Sequence, residues 1–230
     1  MKLPPLTQLR QDDTHRLVPR KYALEEQSGL SRLADENSET SALSELDRST
    51  DNRVLGESGL LPGIGIHELV FGVSCAYVVN AAFTYAHLGG SRFNGSERGA
   101  WYAAFRLETS QAEVAFHRGR ELQEINWPYP EVFEYVDYLA DFRAEFHDIR
   151  KRSEFRECLA PDSYAASQRL AHILLEQGSA GIVYPSVREK THGHSISCFR
   201  PALVTNVRRG ISLGIRFENS SSAPTFVARS

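Results

Sequence analysis

Apolar positions along this chain fall into short runs separated by polar stretches. His15-Arg-Leu-Val-Pro19 predicts a short opening strand closed by its proline. Ala100 to Phe105 is apolar and aromatic and predicts a buried strand. Between Glu131 and Ile149 the residues Val136, Tyr138, Ala140 and Phe142 alternate as in a strand, while the length also suits a helix. We read this segment as a strand followed by a turn. Ala180-Gly-Ile-Val-Tyr184 predicts a buried strand stopped by Pro185, and Ser195–Phe199 and Ile211–Phe217 add two more. Helical character appears at Thr109–Glu124 and is clearest at Pro161–Gln177. There Leu170, Ala171, Leu174 and Leu175 form an apolar face, Asp162 or Ser163 can cap the start, and Gly178 can end it.

The polar stretches shape the domain plan. Leu24–Glu57 is rich in Ser, Glu, Asp and Asn, with Leu43, Leu46 and Leu55 as a weak stripe, and predicts a partly helical insertion or a mobile loop. Leu61-Pro-Gly-Ile-Gly65 is a turn by composition. Leu69–Ala86 carries no charge over about one bilayer's worth of helix, but Gly72, Ser74, Asn80 and Thr84 keep it only mildly apolar, and it reads as buried core. The Ser-rich end from Asn219 to Ser230 predicts a frayed tail. The expected plan is an N-terminal strand region (1–23), the polar insertion (24–60), a core (61–218) and a flexible tail (219–230). The element order predicts an α+β domain with a compact, mostly antiparallel core.

Composition narrows the class. The 230 residues are 41% apolar and 24% charged with a formal charge of -3, which fits a globular chain and excludes a strongly basic nucleic-acid footprint. Cys75, Cys158 and Cys198 are odd in number and without short spacing, which fits a reducing cytoplasm better than a disulfide scaffold. Met1-Lys-Leu-Pro-Pro-Leu6 has no apolar h-region, so neither a signal peptide nor a membrane partner is expected.

Candidate chemistry concentrates between Gly89 and Glu113. Arg92 sits among small residues, beside Gly89-Gly90 and Phe93-Asn94-Gly95, where glycines admit close ligand approach and a guanidinium fork matches phosphate oxygens; the alternative is a surface arginine in a turn. Tyr102 lies in the apolar strand and offers either a stacking ring or plain core. Glu113 has two readings. With Ser110 as N-cap it closes a capping box, and with Thr109 as N-cap it is free to face a cleft. Ser186, after Tyr184-Pro185, is a turn former or a strand-end hydroxyl aimed into a cleft. No Gly-x-Ser-x-Gly elbow or phosphate-binding Gly-x-x-x-x-Gly-Lys-Ser/Thr run occurs, and Gly63-Ile-Gly65 is too short for a dinucleotide fingerprint. His192-Gly-His194 with Cys198 matches no strong zinc pattern, so no metal is expected.

Together these residues resemble the RES-domain family, named for its Arg, Glu and Ser. The matching pieces are Arg16 in His-Arg-Leu-Val-Pro, Arg92 in Gly-Gly-Ser-Arg-Phe-Asn, Tyr102 in Gly-Ala-Trp-Tyr-Ala-Ala-Phe, Glu113 in Glu-Thr-Ser-Gln-Ala-Glu-Val-Ala-Phe-His, and Ser186 in Gly-Ile-Val-Tyr-Pro-Ser-Val-Arg. The similarity runs from about Leu61 to Phe217, with Arg16 as an outlier. The resemblance implies an ADP-ribosyltransferase-like single domain with flanking helices that takes NAD as substrate and needs no true cofactor. It implies a toxin that cleaves the nicotinamide–ribose bond by hydrolysis or phosphorolysis, held inactive by an Xre-type antitoxin that covers the cleft. Other members transfer ADP-ribose to a protein, and a degenerate domain serving only as a partner-binding module is a further alternative. The implied roles are Glu113 as the catalytic carboxylate, Arg92 with Arg16 as the diphosphate clamp, Tyr102 on the nicotinamide side, and Ser186 bonding nicotinamide or its ribose. Leu24–Glu57 and Leu69–Ala86 lengthen the region before Arg92 relative to the shorter toxins, which leaves room for a stand-alone enzyme.

Overall fold

Strand β3 (Glu131–Asp148) is the spine of the molecule. Val136, Tyr138, Ala140 and Phe142 are at most 1% exposed, and the opposite-facing Tyr135 and Asp137 are buried too, so both faces of the strand are covered. What reads in sequence as a strand and a turn is one strand of 18 residues. The computed structural model describes residues 2–23, 63–189, 191 and 193–229. The expected insertion at 24–60 lies outside the described residues.

One edge of β3 pairs antiparallel with β1 (Leu6–Pro19), from Leu6 opposite His147 to Pro19 opposite Tyr135. The opening strand therefore starts nine residues before His15 and ends at the expected proline. β2 (Trp101–Ala104) pairs with β1 at His15, and β4 (Gly181–Pro185) and β5 (His194–Cys198) complete a closed run. In the seven-stranded order β1-β2-β5-β4-β3-β6-β7, the added β1–β3 pairing joins the first five strands into a ring. β6 (Thr205–Phe217) and β7 (Thr225–Arg229) extend from β3. Every pairing is antiparallel except β3–β4, which confirms a mostly antiparallel α+β fold. β7 corrects the expected frayed tail: Thr225–Arg229 pairs along Ser212–Arg216 of β6, a non-local match that Ser-rich composition conceals.

Among the described residues, four α-helices pack on this sheet. The short α1 (Arg20–Ala23) follows β1 directly. The uncharged stretch holds α2 (Ala76–Thr84), in which Phe83 and Val79 are buried. Its polar residues are satisfied in place, since the Asn80 amide exchanges hydrogen bonds with Val70 N–H and C=O at 3.0 and 2.9 Å. No described helix is long and apolar enough to cross a membrane. α3 (Leu107–Glu124) lies over Leu17, Tyr135, Leu213, Ile215 and Phe217. α4 (Ala165–Glu176) buries Leu170 and Leu174 against Phe93, Ile149 and Ile182, each such side chain contributing about 1.5–3 kcal/mol. Tyr164 is its N-cap residue, so neither Asp162 nor Ser163 occupies that position. Gly178 ends α4 as predicted: at φ +77° it donates to Leu175 O (3.0 Å), while Ser179 donates to Leu174 O (2.9 Å), a Schellman closure. All three cysteines are free thiols.

Candidate active site

Arg92 stands in a tight loop between α2 and β2. Its side chain is only 8% exposed, and its Nη1 donates to Ala160 O at 2.8 Å and Cys158 O at 3.2 Å. The ring of Tyr164 lies 4.8 Å from the guanidinium carbon. The Tyr102 hydroxyl braces this loop by accepting from Phe93 N–H and donating to Asn94 Oδ1, both at 2.8 Å. Burial raises the Tyr102 pKa above its ordinary value, which keeps the phenol protonated as the donor to Asn94.

Arg16 reaches the same region from β1. Its Nη1 donates to Tyr102 O at 3.1 Å, its guanidinium carbon sits 4.9 Å over Trp101, and its Nε is buried without a hydrogen-bond partner among the described residues. Burial pushes its pKa down to about 10, still high enough for a full charge at neutral pH. Neither Arg16 nor Arg92 has an ion-pair partner among the described residues, whose carbonyl contacts are neutral. Arg92 is buried and Arg16 half-buried, and without counter-ions among the described residues they form an incomplete electrostatic arrangement that a bound anion would complete.

Glu113 faces them from α3. The helix begins earlier than Ser110 or Thr109, with Arg106 as the N-cap residue, and Ser110 N–H already bonds Arg106 O at 3.2 Å. Neither capping alternative therefore holds. Thr109 Oγ1 instead donates to Glu189 Oε2 (2.9 Å), and Glu113 Oε1 accepts from Ser186 Oγ at 2.7 Å. Ser186 is itself fixed: its hydroxyl oxygen accepts from Arg188 N–H (3.2 Å) and Glu189 N–H (3.0 Å), and its own N–H donates to Gly193 O (2.7 Å). A hydroxyl that receives two backbone N–H groups has its one proton aimed at the carboxylate.

A cleft of about 560 Å³ brings these parts together, with Arg16, Arg92, Tyr102 and Glu113 all in its wall. Ser186 does not line it; it stands behind Glu113. Residues 69–218 match the RES domain. The chain belongs to the RES domain family.

The matched span contains Arg92, Tyr102, Glu113 and Ser186, and Arg16 precedes it. Among solved structures, the M. tuberculosis MbcT–MbcA toxin–antitoxin complex is similar to this RES domain at 9% identity, over 90% of this chain and 85% of that one, with a TM-score of 0.47. No curated protein matches the sequence.

The RES cleft also contains residues that motif reading passed over: Tyr164, Tyr184, Ser195 and His117. Tyr184 and Ser195 are opposite each other on β4 and β5, and the Tyr184 ring packs 4.7 Å from Phe93. Burial first, and nearby Glu113 second, raise the Tyr184 pKa. A signal for Ser195 was present in β5, where Ser195 and Ser197 alternate with Ile196 and Cys198 and so share one face. Arg188 bridges α3 and the segment before α4, its guanidinium carbon lying 3.4 Å from the Phe116 ring centroid and its Nη2 donating to Pro161 O at 2.7 Å. His194 begins β5 with its ring edge-on to Phe105, and His192 lies outside the described residues.

Proposed function

We propose that this RES domain is an NAD-consuming enzyme that cleaves the bond between nicotinamide and ribose. One observation carries the reading: two guanidinium groups without counter-ions among the described residues and one serine-held carboxylate converge on a single cleft. Two planar forks suit the two phosphates of a dinucleotide, and a carboxylate suits the sugar next to them. Arg92 and Arg16 hold the diphosphate, and Glu113 lies against the nicotinamide ribose. The C1′–N bond breaks with both electrons leaving on the nicotinamide nitrogen, which passes from pyridinium to neutral base, so no general acid is required. The ribosyl carbon gains oxocarbenium character, which the Glu113 carboxylate stabilises. An oxygen of water, phosphate or a protein acceptor then bonds to C1′ and gives up its proton where it has one. Ser186 acts by holding Glu113, and Tyr102 by holding the Arg92 loop, rather than through nicotinamide.

The RES resemblance further supports a toxin whose cleft an Xre-type antitoxin covers. Purified protein mixed with NAD, with and without phosphate, tests the enzymatic reading by chromatography of free nicotinamide. The expected outcome is steady release that falls about 10²-fold or more in Glu113→Gln. Release no faster in the parent than in the variant overturns the reading. Labelled NAD separates the acceptors: small labelled products mark hydrolysis or phosphorolysis, and a labelled protein band marks ADP-ribosyl transfer.

A further inference from the structure

A single side chain of α4 fastens the loop that bears Arg92. Gln168 Nε2 donates to Gly89 O at 2.9 Å and to Ser91 O at 3.1 Å. Both partners are carbonyl oxygens, so only the amide NH₂ can face them. Gly90, between these two carbonyls, sits at φ +69°, and a Cβ there would come within 2.8 Å of Gln168 Nε2 and 2.3 Å of Asn94 O. The turn is thus shaped around the amide and closed to any larger residue. Gln168 lies four residues after Tyr164 and donates its N–H to Tyr164 O at 2.8 Å, which puts both on one helical face. That face supplies the ring beside the Arg92 guanidinium and the anchor for the backbone before it. From the other side, Tyr102 anchors the backbone after it at Phe93. Arg92 is therefore the one residue between two pinned neighbours.

We propose that Gln168 is a positioning residue of the anion clamp, acting on a diphosphate-bearing ligand through Arg92; the proposal rests on the reading of Arg92 as a diphosphate ligand. A loop with Gly89, Gly90 and Gly95 has many accessible conformations, and apparent affinity falls in proportion to the fraction that is binding-competent. Gln168 raises that fraction by tying two carbonyls at once.

The test is a double-mutant cycle on the full chain, with inorganic pyrophosphate as the calorimetric probe. Gln168→Ala is expected to weaken pyrophosphate binding about tenfold in the parent and to have no further effect in an Arg92→Ala background. Gln168→Met, of similar length and without the amide, is expected to match Gln168→Ala and serves where the smaller side chain leaves the protein unfolded by circular dichroism. In nicotinamide-release assays the loss is expected in KM rather than kcat. Equal losses in both backgrounds, or parent-like affinity in both Gln168 variants, overturn the proposal. So does a parent protein that binds no pyrophosphate. Intact pyrophosphate coupling without nicotinamide release leaves the positioning role standing and removes the NAD reading.

Discussion

Ser186 Oγ donates to Glu113 Oε1 at 2.7 Å across a sequence separation of 73 residues. The bond occupies one carboxylate oxygen and fixes the plane of the carboxylate. Ser186→Ala removes that constraint but leaves the carboxylate in the cleft, so kcat for nicotinamide release is expected to fall about tenfold with little change in KM. The same substitution in a Glu113→Gln background is expected to cost less than twofold, because the two side chains act as one unit. Independent, multiplicative losses in steady-state assays would place Ser186 on the substrate instead.

Tyr102 offers a sharper choice between hydroxyl and ring. Its hydroxyl is fully engaged by Phe93 N–H and Asn94 Oδ1, and both lose their partner in Tyr102→Phe. The expected result is a loss of about 1–3 kcal/mol in urea unfolding, together with weaker NAD binding as the Arg92 loop loosens. A ring that served only to stack would tolerate the change, and unaltered stability and affinity would support that simpler role.

Much of the scaffold was legible because its signals are local. The alternation of Val136, Tyr138, Ala140 and Phe142 marks β3, and Gly178 marks the end of α4. The failures are non-local. Ser110 and Glu113 have capping-box spacing, yet the apolar contacts of Leu107, Val114 and Ala115 extend α3 to Arg106 and turn Glu113 toward Ser186. β7 is invisible in composition because its pairing with Ser212–Arg216 is a register match between distant segments. The candidate site was half legible: residue type and motif order suggested that Arg92 and Glu113 share a cleft, but no pattern states that the Tyr102 hydroxyl bonds the Arg92 loop or that Ser186 bonds Glu113.

The turn behind Glu113 has one position with little room. A Cβ at Gly193 would come within 2.8 Å of Thr109 Cγ2 and 3.0 Å of Ser186 Cβ, and within 2.3 Å of Glu189 Oε2. The glutamate tip can swing aside, but Thr109 is buried in α3 and Ser186 is tied to two backbone N–H groups. Gly193→Ala is therefore expected to displace Ser186 and lower kcat by roughly the factor seen in Ser186→Ala. Its effect should disappear in the Ser186→Ala background when both are followed by nicotinamide release. Full activity in Gly193→Ala would show that the turn moves without disturbing the carboxylate.

A half-buried cation at Arg16 offers a link between stability and anion binding. Its Nε has no partner among the described residues, and burial lowers its pKa to about 10. With the cleft empty this charge destabilises the fold, so Arg16→Met, similar in length and uncharged, is expected to raise Tm by about 2–4 °C at neutral pH. A folded pKa below the unfolded value means that the unfolded chain holds the proton more tightly. The destabilisation is then complete below about pH 10 and fades as pH rises above it, so the gain in Tm should shrink there. Pyrophosphate should raise the Tm of the parent by supplying the missing counter-charge, and raise that of Arg16→Met much less. Scanning calorimetry reads both effects. A lower Tm in Arg16→Met with an undiminished pyrophosphate response would assign Arg16 to packing against Trp101 and leave Arg92 as the clamp by itself.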